Sequence, residues 1–282
     1  MKKTVFLLIS ILTLSIAAFG QDKKLEKLTP EELIKRHVAS IGTPEDIAAI
    51  KTRIMSGEGA LTSRVKEQGR IAGPAQFASE GNKLVFAIVF NNSSYPYEKV
   101  AFDGKSQFVG LPNGRQTALT DYLRAQNSIT EEGLLGGVIS TAWPLLDMTG
   151  RKAKLEATTG KIDKRQLYKL KYVPKGEDVR ISLYFDPETY RHIRTEYEYD
   201  IQAKMAQVAT DSAQSKKDNF TMIEDFGDFK TFEKLTLPTN YQITVTVLRQ
   251  STGQGVVSLL WTSIFDKVFN NQAIDPESYK VS

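Results

Sequence analysis

The chain of 282 residues contains no cysteine and only two histidines, His37 and His192. The absence of cysteine excludes disulfides, thiol nucleophiles, cysteine-ligated zinc and iron–sulfur clusters. Two histidines leave little for a histidine-based metal site. Composition therefore argues against much enzyme chemistry before any motif is considered.

Motifs that carry chemistry are missing or incomplete. The chain has no Gly-x-Ser-x-Gly elbow, and Asp225-Phe226-Gly227 lacks the catalytic loop and glycine-rich loop that accompany this tripeptide in kinases. Gly57-Glu58-Gly59 lacks the third glycine of a dinucleotide fingerprint and indicates a bulge or turn. We predict a protein that is not an enzyme, with no catalytic residue, no metal and no cofactor.

Charge gives no sign of a nucleic-acid partner. The chain has 37 basic and 33 acidic residues, and no dense basic stripe with interleaved aromatic residues accompanies the small excess. The sequence therefore predicts a protein that does not bind nucleic acid.

The first residues form a secretory leader. Lys2 and Lys3 precede an apolar run from Val5 to Ala18, which is shorter than the roughly 20 residues that a membrane-spanning helix needs. Small residues at Ala18 and Gly20 suit cleavage before Gln21. We predict a signal peptide at 1–20 and a single periplasmic domain at 21–282.

Two short helices open the rest of the chain. Thr29-Pro30-Glu31-Glu32 has a capping threonine, a proline at the first helical position and a glutamate that completes a capping box. Apolar residues then recur at helical spacing up to Ile41, and Gly42 ends the helix. Thr43-Pro44-Glu45-Asp46 repeats the pattern. His37 lies on the apolar stripe, where a hydrogen-bonded structural histidine is expected.

Most of the remainder alternates with the period of two that is typical of β-strands. In the run from Ile193 to Ile201, the side chains of Ile193, Thr195, Tyr197, Tyr199 and Ile201 are expected on one face. Other strands are expected at Leu84–Phe90, Leu167–Val173, Val179–Phe185, Tyr241–Leu248 and Val256–Phe265. Turns are expected at Asp103-Gly104, Asn113-Gly114, Thr159-Gly160 and Lys175-Gly176.

Two stretches interrupt this alternation. Thr117 to Leu146 has helix-start signals, and its second part places Gly136 and Gly137 inside an apolar helical pattern, where paired glycines make a helix easy to deform. Ala203 to Asn219 is polar and rich in small residues, which predicts a long hairpin connection. We therefore predict an α+β fold: a large curved antiparallel β-sheet, or half-barrel, with helices packed over its concave face.

Carboxylates and a histidine on one strand leave a hydrolase open as an alternative. Glu196, Glu198 and Asp200 follow one face of the strand, and His192 stands at its start between two arginines. A row of carboxylates along one strand more often marks a solvated face, here balanced by Lys169 and Lys171, and His192 is expected at a solvated strand end.

Three local motifs resemble the LolA/LolB-like periplasmic lipoprotein-carrier superfamily. The first is the strand-turn Tyr184-Phe185-Asp186-Pro187-Glu188-Thr189-Tyr190. The second is Phe226-Gly227-Asp228-Phe229-Lys230 followed by Leu235-Thr236-Leu237-Pro238. The third is the helix-Gly-helix opening around Gly42. The resemblance implies a half-barrel closed by helices over an apolar cavity that takes up acyl chains, with no cofactor and no reaction.

The apolar surplus of the strands suits such a cavity, since each buried methylene of an acyl chain gains about 0.8 kcal/mol. We predict that strand residues line the ligand cavity and that a lid covers it. The strand residues are Phe86, Phe90, Leu183, Phe185, Tyr197, Tyr199, Ile243, Val245 and Trp261. The lid residues are Leu134, Leu135, Val138, Ile139 and Trp143, with Gly136 and Gly137 as its soft point.

The expected function is carriage, by a monomer, of an acylated lipoprotein or a lipid across the periplasm. Inner- or outer-membrane envelope proteins are further candidate partners. The main alternative is a non-catalytic envelope protein-interaction module whose interior is filled by its own side chains.

Overall fold

The structure is a computed structural model that describes residues 25–63, 69–110, 117–176, 179–200, 219–249 and 255–280. The predicted leader, the predicted turn at Asn113-Gly114 and the predicted connection from Ala203 up to residue 218 lie outside the described residues. None of the helices within the described ranges is long and apolar enough to cross a membrane.

Four short α-helices and three 3₁₀ turns are present in the described ranges. The helices are α1 (Pro30–Ile41), α2 (Pro44–Ala48), α3 (Ala118–Ala125) and α4 (Ser128–Glu131); the 3₁₀ turns are Gly137–Ile139, Pro144–Leu146 and Pro276–Tyr279. The predicted start of α1 is confirmed, because Thr29 and Glu32 form a reciprocal capping box.

Twelve strands form one antiparallel sheet. They are β1 (Thr52–Ser63), β2 (Arg70–Glu80), β3 (Lys83–Val89), β4 (Tyr97–Phe102), β5 (Gln107–Gly110), β6 (Lys154–Ile162), β7 (Arg165–Val173), β8 (Arg180–Phe185), β9 (His192–Asp200), β10 (Asn219–Phe232), β11 (Leu235–Arg249) and β12 (Gly255–Asn270). The sheet is open and curved, so the predicted α+β half-barrel is confirmed.

The order of the strands determines what covers the sheet. It runs β5-β4-β3-β2-β1-β12-β11-β10-β9-β8-β7-β6, so that the first and last strands of the chain pair in the middle. The two outermost strands, β5 and β6, are consecutive in the chain. Because neighbouring strands lie about 4.8 Å apart, the connection from β5 to β6 must cross roughly 50 Å of sheet. That connection contains α3, α4 and two of the 3₁₀ turns.

This crossing segment corrects the prediction of a helical stretch from Thr117 to Leu146. Regular helix ends at Glu131, and the part from Leu134 to Leu146 consists of two 3₁₀ turns and irregular backbone. Gly133, Gly136 and Gly137 all have positive φ, which interrupts the α-helix that the apolar spacing suggested. We call residues Leu134–Leu146 the closing segment.

The predicted turns are right in two places and wrong in one. Asp103-Gly104 and Lys175-Gly176 lie in hairpin connections. Thr159-Gly160 lies inside β6, and the chain reverses at Asp163 and Lys164 instead. A Cβ on Gly160 would stand 2.9 Å from the ring of Tyr184, so the glycine serves close packing rather than a turn. The expected irregularity at Gly57 is a register shift between β1 and β12.

A second register shift, between β8 and β9, changes the face of one predicted residue. Phe185 pairs with His192 and Tyr184 with Arg194, which leaves Ile193 as the extra residue of a bulge. His192 therefore joins Thr195 and Tyr197 on the inner face, and it is fully buried. The prediction of His192 at a solvated strand end is wrong, as is the placement of Ile193 on the inner face.

The hydrophobic core lies between the concave face of the sheet and the elements that cover it. Leu33, His37 and Ile41 of α1 are buried there together with the closing segment. A smaller cluster lies on the outer face, where Tyr279 near the end of the chain packs on Ala78, Val85 and Ala101. Both faces of the β2–β4 region are thus covered.

Candidate functional site

The concave interior collects the strand residues that were predicted to line a ligand site. Phe86, Phe90, Leu183, Phe185, Tyr197, Ile243, Val245 and Trp261 are all at most 4% exposed and belong to one core cluster. The side chain of Tyr199 lies outside the described residues. The other residues lie on the inward faces of their strands, as predicted. Whether they contact a ligand stays a prediction.

The residues predicted as a lid lie directly over these strands. Leu134, Leu135, Val138, Ile139 and Trp143 are at most 2% exposed and pack into the same cluster. Their side chains point into the interior and occupy it in this conformation. The structure therefore shows a closed arrangement, in which the closing segment fills the space that the sheet encloses.

The buried carboxylate of Glu224 holds the closing segment from below. Its Oε1 accepts hydrogen bonds from the backbone N–H of Gly136 at 2.7 Å and from the Tyr241 hydroxyl at 2.5 Å, and its Oε2 accepts one from the Tyr197 hydroxyl at 2.5 Å. Burial raises the pKa of Glu224 to about 7, although these three donors favour its charged form. Burial beside this carboxylate also raises the pKa of both tyrosines well above the ordinary value.

Arg53 of β1 holds the same segment from the other half of the sheet. Its Nη1 donates to the carbonyl oxygens of Val138 at 2.9 Å and Ile139 at 3.3 Å, and its Nε donates to the side chain of Asn270 at 3.3 Å. Burial lowers the pKa of Arg53 to about 10, so the side chain stays protonated at neutral pH. A buried guanidinium thus binds backbone carbonyls rather than a carboxylate.

A pair of histidines anchors Trp143, the largest side chain of the closing segment. The indole Nε1 donates to Nε2 of His37 at 3.0 Å, so Nδ1 of His37 carries the proton and donates to the Tyr190 carbonyl at 3.1 Å. The indole also stacks on His192 with ring centroids 4.8 Å apart. Burial lowers the pKa of His37 to about 4 and that of His192 well below the ordinary value, so both are neutral. His37 is the structural histidine that the sequence predicted.

A second buried carboxylate, Glu98 of β4, connects the outer strands to the start of α3. It accepts hydrogen bonds from the Tyr95 hydroxyl, from Nε1 of Trp261 at 3.1 Å and from the hydroxyl of Thr117 at 3.1 Å. Thr117 is the N-cap of α3. Burial raises the pKa of Glu98 to about 7. The indole of Trp261, predicted only as an apolar lining group, is thus also a hydrogen-bond donor.

At the two glycines of the closing segment, the backbone lies very close to side chains of the sheet. Gly136 has φ +81°, and a Cβ there would stand 2.4 Å from the ring of Phe77. Gly137 has φ +50°, and a Cβ would stand 2.9 Å from both His192 and Phe226. Only glycine lets the backbone lie this close to the sheet in a left-handed conformation.

The residues of the hydrolase alternative do not form a common site. Glu198 is exposed and lies near Arg180, Glu196 accepts from the Tyr184 hydroxyl and lies near Arg194, and the side chain of Asp200 is outside the described residues. His192 faces the interior, on the other side of the sheet from Glu196. Arginines rather than Lys169 and Lys171 accompany these carboxylates, since Lys171 pairs with Glu156.

Sequence reasoning missed Arg53, Glu98 and Glu224. Each occupies an inward position in an alternating strand: Arg53 with Met55, Glu98 with Val100, and Glu224 with Met222. A charged residue in the apolar phase of a strand is the signal that could have found them. To use this signal, one must first know which residues of β1, β4 and β10 face the interior.

Comparison with known proteins gives similarity at the level of solved structures. No family model matches the chain, and no curated protein matches it. A LolA superfamily protein from Nitrosomonas europaea is similar over 90% of this chain and 99% of its own, with 14% identity and a TM-score of 0.45. A DUF1329 family protein from Desulfovibrio piger is similar over 88% of this chain and 95% of its own, with 10% identity and a TM-score of 0.47.

A more distant similarity concerns a protein in a complex. The Pseudomonas aeruginosa MucA/MucB complex contains a chain similar over 86% of this chain and 99% of its own, with 7% identity and a TM-score of 0.21.

Proposed function

We propose that this protein is a carrier that encloses acyl chains of a lipid or lipoprotein in its concave interior, after the closing segment moves away from the sheet. The observation that carries the proposal is the attachment of this segment. It covers a largely apolar interior with little regular secondary structure, and buried polar side chains of three different strands or helices hold it by hydrogen bonds. Those side chains are Glu224, Arg53 and His37.

The energetics of this attachment suit a reversible closure. Removing the segment takes from a carboxylate, a guanidinium and an imidazole the hydrogen bonds that they share with it, which costs about 1–3 kcal/mol for each group. An acyl chain that replaces the apolar side chains of the segment regains about 0.8 kcal/mol per buried methylene. The closed state is therefore favoured without cargo, and a long chain can shift the balance toward the open state.

Location and partners extend the proposal. The leader sequence indicates export, and we place the carrier in the periplasm, where it would shield acyl chains from water between membrane surfaces. The cargo is an acylated lipoprotein or a lipid. Envelope proteins that deliver or receive this cargo are the expected protein partners, and no chemical reaction is part of the function.

Quenching of tryptophan fluorescence by a brominated fatty acid tests the proposal. The chain has two tryptophans, and both Trp143 and Trp261 lie in the interior. We expect saturable quenching, because the bromine atoms come next to the indoles only if the acyl chain enters. Arg53→Leu removes two hydrogen bonds to the closing segment, so it is expected to lower the concentration for half-saturation by about tenfold, the equivalent of 1.4 kcal/mol.

The matched control is Arg70→Leu, which removes an exposed arginine from the neighbouring strand and is expected to bind like the natural protein. If neither the natural protein nor Arg53→Leu shows saturable quenching while both remain folded by circular dichroism, the interior does not admit acyl chains and the carrier proposal is wrong.

One observation favours the alternative of a protein-interaction module. The interior is occupied by the chain's own side chains, and an apolar groove of about 760 Å³ lies outside it, between α1–α2 and residues 145–148. If the quenching experiment fails, a docking role for this outer surface replaces carriage.

A further inference from the structure

A separate pocket of about 490 Å³ lies on the outer face of the sheet, where β9, β10 and β11 meet the β6–β7 hairpin. By strand alternation, Arg194, Asp225 and Gln242 point away from the interior that Glu224, Phe226 and Tyr241 enter. The pocket is therefore independent of the closing segment and of the proposed carrier function. Its volume falls within the range of about 300–1,000 Å³ that is typical of small-molecule sites.

One wall of this outer pocket is apolar because the sheet is irregular there. Ile193 is the extra residue of the β9 bulge and lies at the pocket together with Leu167 and Ile162. Leu167 lies on the outer face of β7 and is almost completely buried. The partly exposed side chains of Ile193 and Ile162 are thus the apolar groups available for the C–H face of a ligand.

The opposite wall consists of polar side chains that hold each other in place. Nε of Arg194 donates to Oδ1 of Asp225 at 2.6 Å. The Gln242 amide donates to Oδ1 of Asn240 at 3.2 Å, and the Asn240 amide donates to Oδ2 of Asp228 at 3.3 Å. Such fixed amide and carboxylate groups can bind hydroxyls with little loss of side-chain entropy.

The floor between these walls is Gly227. Its φ is not in the left-handed region, and a Cβ there would meet only the Cβ of Asn240, at 3.8 Å. Glycine is therefore not required by the backbone or by packing at this position. Its effect is to leave open the space between Asp225 and Asn240.

Both arginines at the pocket are paired with carboxylates. Arg194 is paired with Asp225, lies 3.6 Å from Glu196 and also interacts with Asp163, and Arg165 is paired with Asp186. An anionic or cationic ligand would have to compete with these pairs. A neutral ligand that combines a C–H face with edge hydroxyls fits both walls, and this combination is characteristic of a pyranose.

We propose that the outer pocket binds a neutral carbohydrate, with a sugar ring against Ile193 and Ile162 and its hydroxyls on Asp225, Asn240 and Gln242. This would give the protein a second ligand site on the face opposite the acyl-chain interior.

Titration calorimetry and saturation-transfer NMR with cellobiose, maltose and chitobiose test the proposal. At least one of these neutral disaccharides is expected to bind saturably, and Gly227→Val is expected to weaken binding tenfold or more by filling the floor. Valine suits a strand, and open space surrounds the Cβ, so the variant is expected to fold. Gln242→Ala is expected to weaken binding of the same disaccharide by removing one polar partner.

Thr221→Val is the matched control, since Thr221 lies on the same face of β10 outside the pocket, and it is expected to bind like the natural protein. Absence of binding by all three disaccharides overturns the proposal. So does binding that Gly227→Val leaves unchanged, or binding of an anionic uronic-acid disaccharide that is stronger than that of the neutral ones.

Discussion

Glu98, Glu224 and Arg53 show how single charged side chains can be buried in this apolar interior. None of them is paired with an opposite charge in the described structure. Their partners are hydroxyl, indole and backbone groups, and for Arg53 also the side-chain amide of Asn270. Isolated buried charges are costly unless hydrogen bonds replace the lost water. Three donors around each carboxylate supply that replacement, and for Glu224 one donor belongs to the closing segment.

The raised pKa of Glu224 predicts a pH-dependent stability. The folded protein binds a proton at this carboxyl with a pKa of about 7, whereas the unfolded chain has the ordinary value of about 4.5. The contribution of Glu224 to the free energy of unfolding therefore falls as pH rises from about 4.5 to about 7, by roughly 1.4 kcal/mol per unit of pKa difference. In Glu224→Gln this contribution is absent, so urea unfolding from pH 4.5 to 8 is expected to show the natural protein losing stability relative to the variant.

Comparison with the variant is needed because other groups titrate in the same range. Glu98 acts in the same direction, whereas His37 and His192, whose pKa values are lowered by burial, make the folded state more stable as pH rises toward about 6.5. The exposed Glu198→Gln is the control and is expected to follow the natural protein. Parallel stability curves for the natural protein and Glu224→Gln would contradict the prediction.

At the scale of elements, the closing segment combines strong burial with little regular structure. Its apolar side chains are spaced as in an amphipathic helix, yet glycines with positive φ break that helix and bring the backbone down onto the sheet. Tertiary hydrogen bonds replace those that a helix would make. Contacts with the sheet, rather than regular backbone hydrogen bonds, therefore hold this segment in place.

Gly136→Ala is expected to weaken the closed state. A Cβ at this position adds left-handed backbone strain of about 1–2 kcal/mol and a clash with Phe77, whose ring would be 2.4 Å away. Amide hydrogen exchange of residues 134–143, followed by mass spectrometry, is expected to become at least tenfold faster, while the exchange of β10–β12 changes little.

Gly150→Ala is the control for alanine at a glycine with positive φ outside the closing segment. Gly150 also has positive φ, of +75°, but nothing lies within 4 Å of a Cβ there. The control is therefore expected to leave exchange in the closing segment unchanged. Equal exchange in Gly136→Ala and the natural protein would show that the glycine is not needed for closure.

At the scale of the whole molecule, strand order explains why one segment closes the interior. The chain builds strands β1 to β5 toward one edge of the sheet, crosses to the other edge, and returns through β6 to β12 until β12 pairs with β1. The crossing has to pass over one face of the sheet, and the concave face is where its apolar side chains are buried. The residues after β12 then cover part of the outer face.

The end of the chain is therefore expected to contribute to global stability. Tyr279 is 1% exposed and packs on Ala78, Val85 and Ala101, and its hydroxyl has no hydrogen-bond partner among the described residues. Tyr279→Ala is expected to lower the free energy of unfolding by about 3 kcal/mol, as for other large-to-small core substitutions. Tyr279→Phe removes only the unpaired hydroxyl and is expected to be neutral or stabilising. Urea denaturation of both variants checks this, and a neutral Tyr279→Ala would mean that the chain end is not docked.

Local patterns in the sequence determined several features by themselves. The capping threonines and prolines fix the starts of α1 and α2. The period of two identifies strands such as β3, β8 and β9 and shows which of their residues share a face. Both depend on interactions between residues that are near each other in the chain, or on a side-chain period that the backbone enforces. The α+β class, with one large antiparallel sheet and helices on one face, followed from these patterns.

Other features were decided only by the tertiary structure. A bulge inserts one residue and so changes which face the side chains beyond it occupy. His192 therefore faces inward, although regular alternation along the strand predicted the opposite face. The closing segment is not a helix, because its glycines approach Phe77, His192 and Phe226 from distant parts of the chain. The roles of Arg53, Glu98 and Glu224 could be recognised only in the folded structure, where strand order brings their hydrogen-bond partners together. These are long-range contacts, and no local preference of the sequence encodes them.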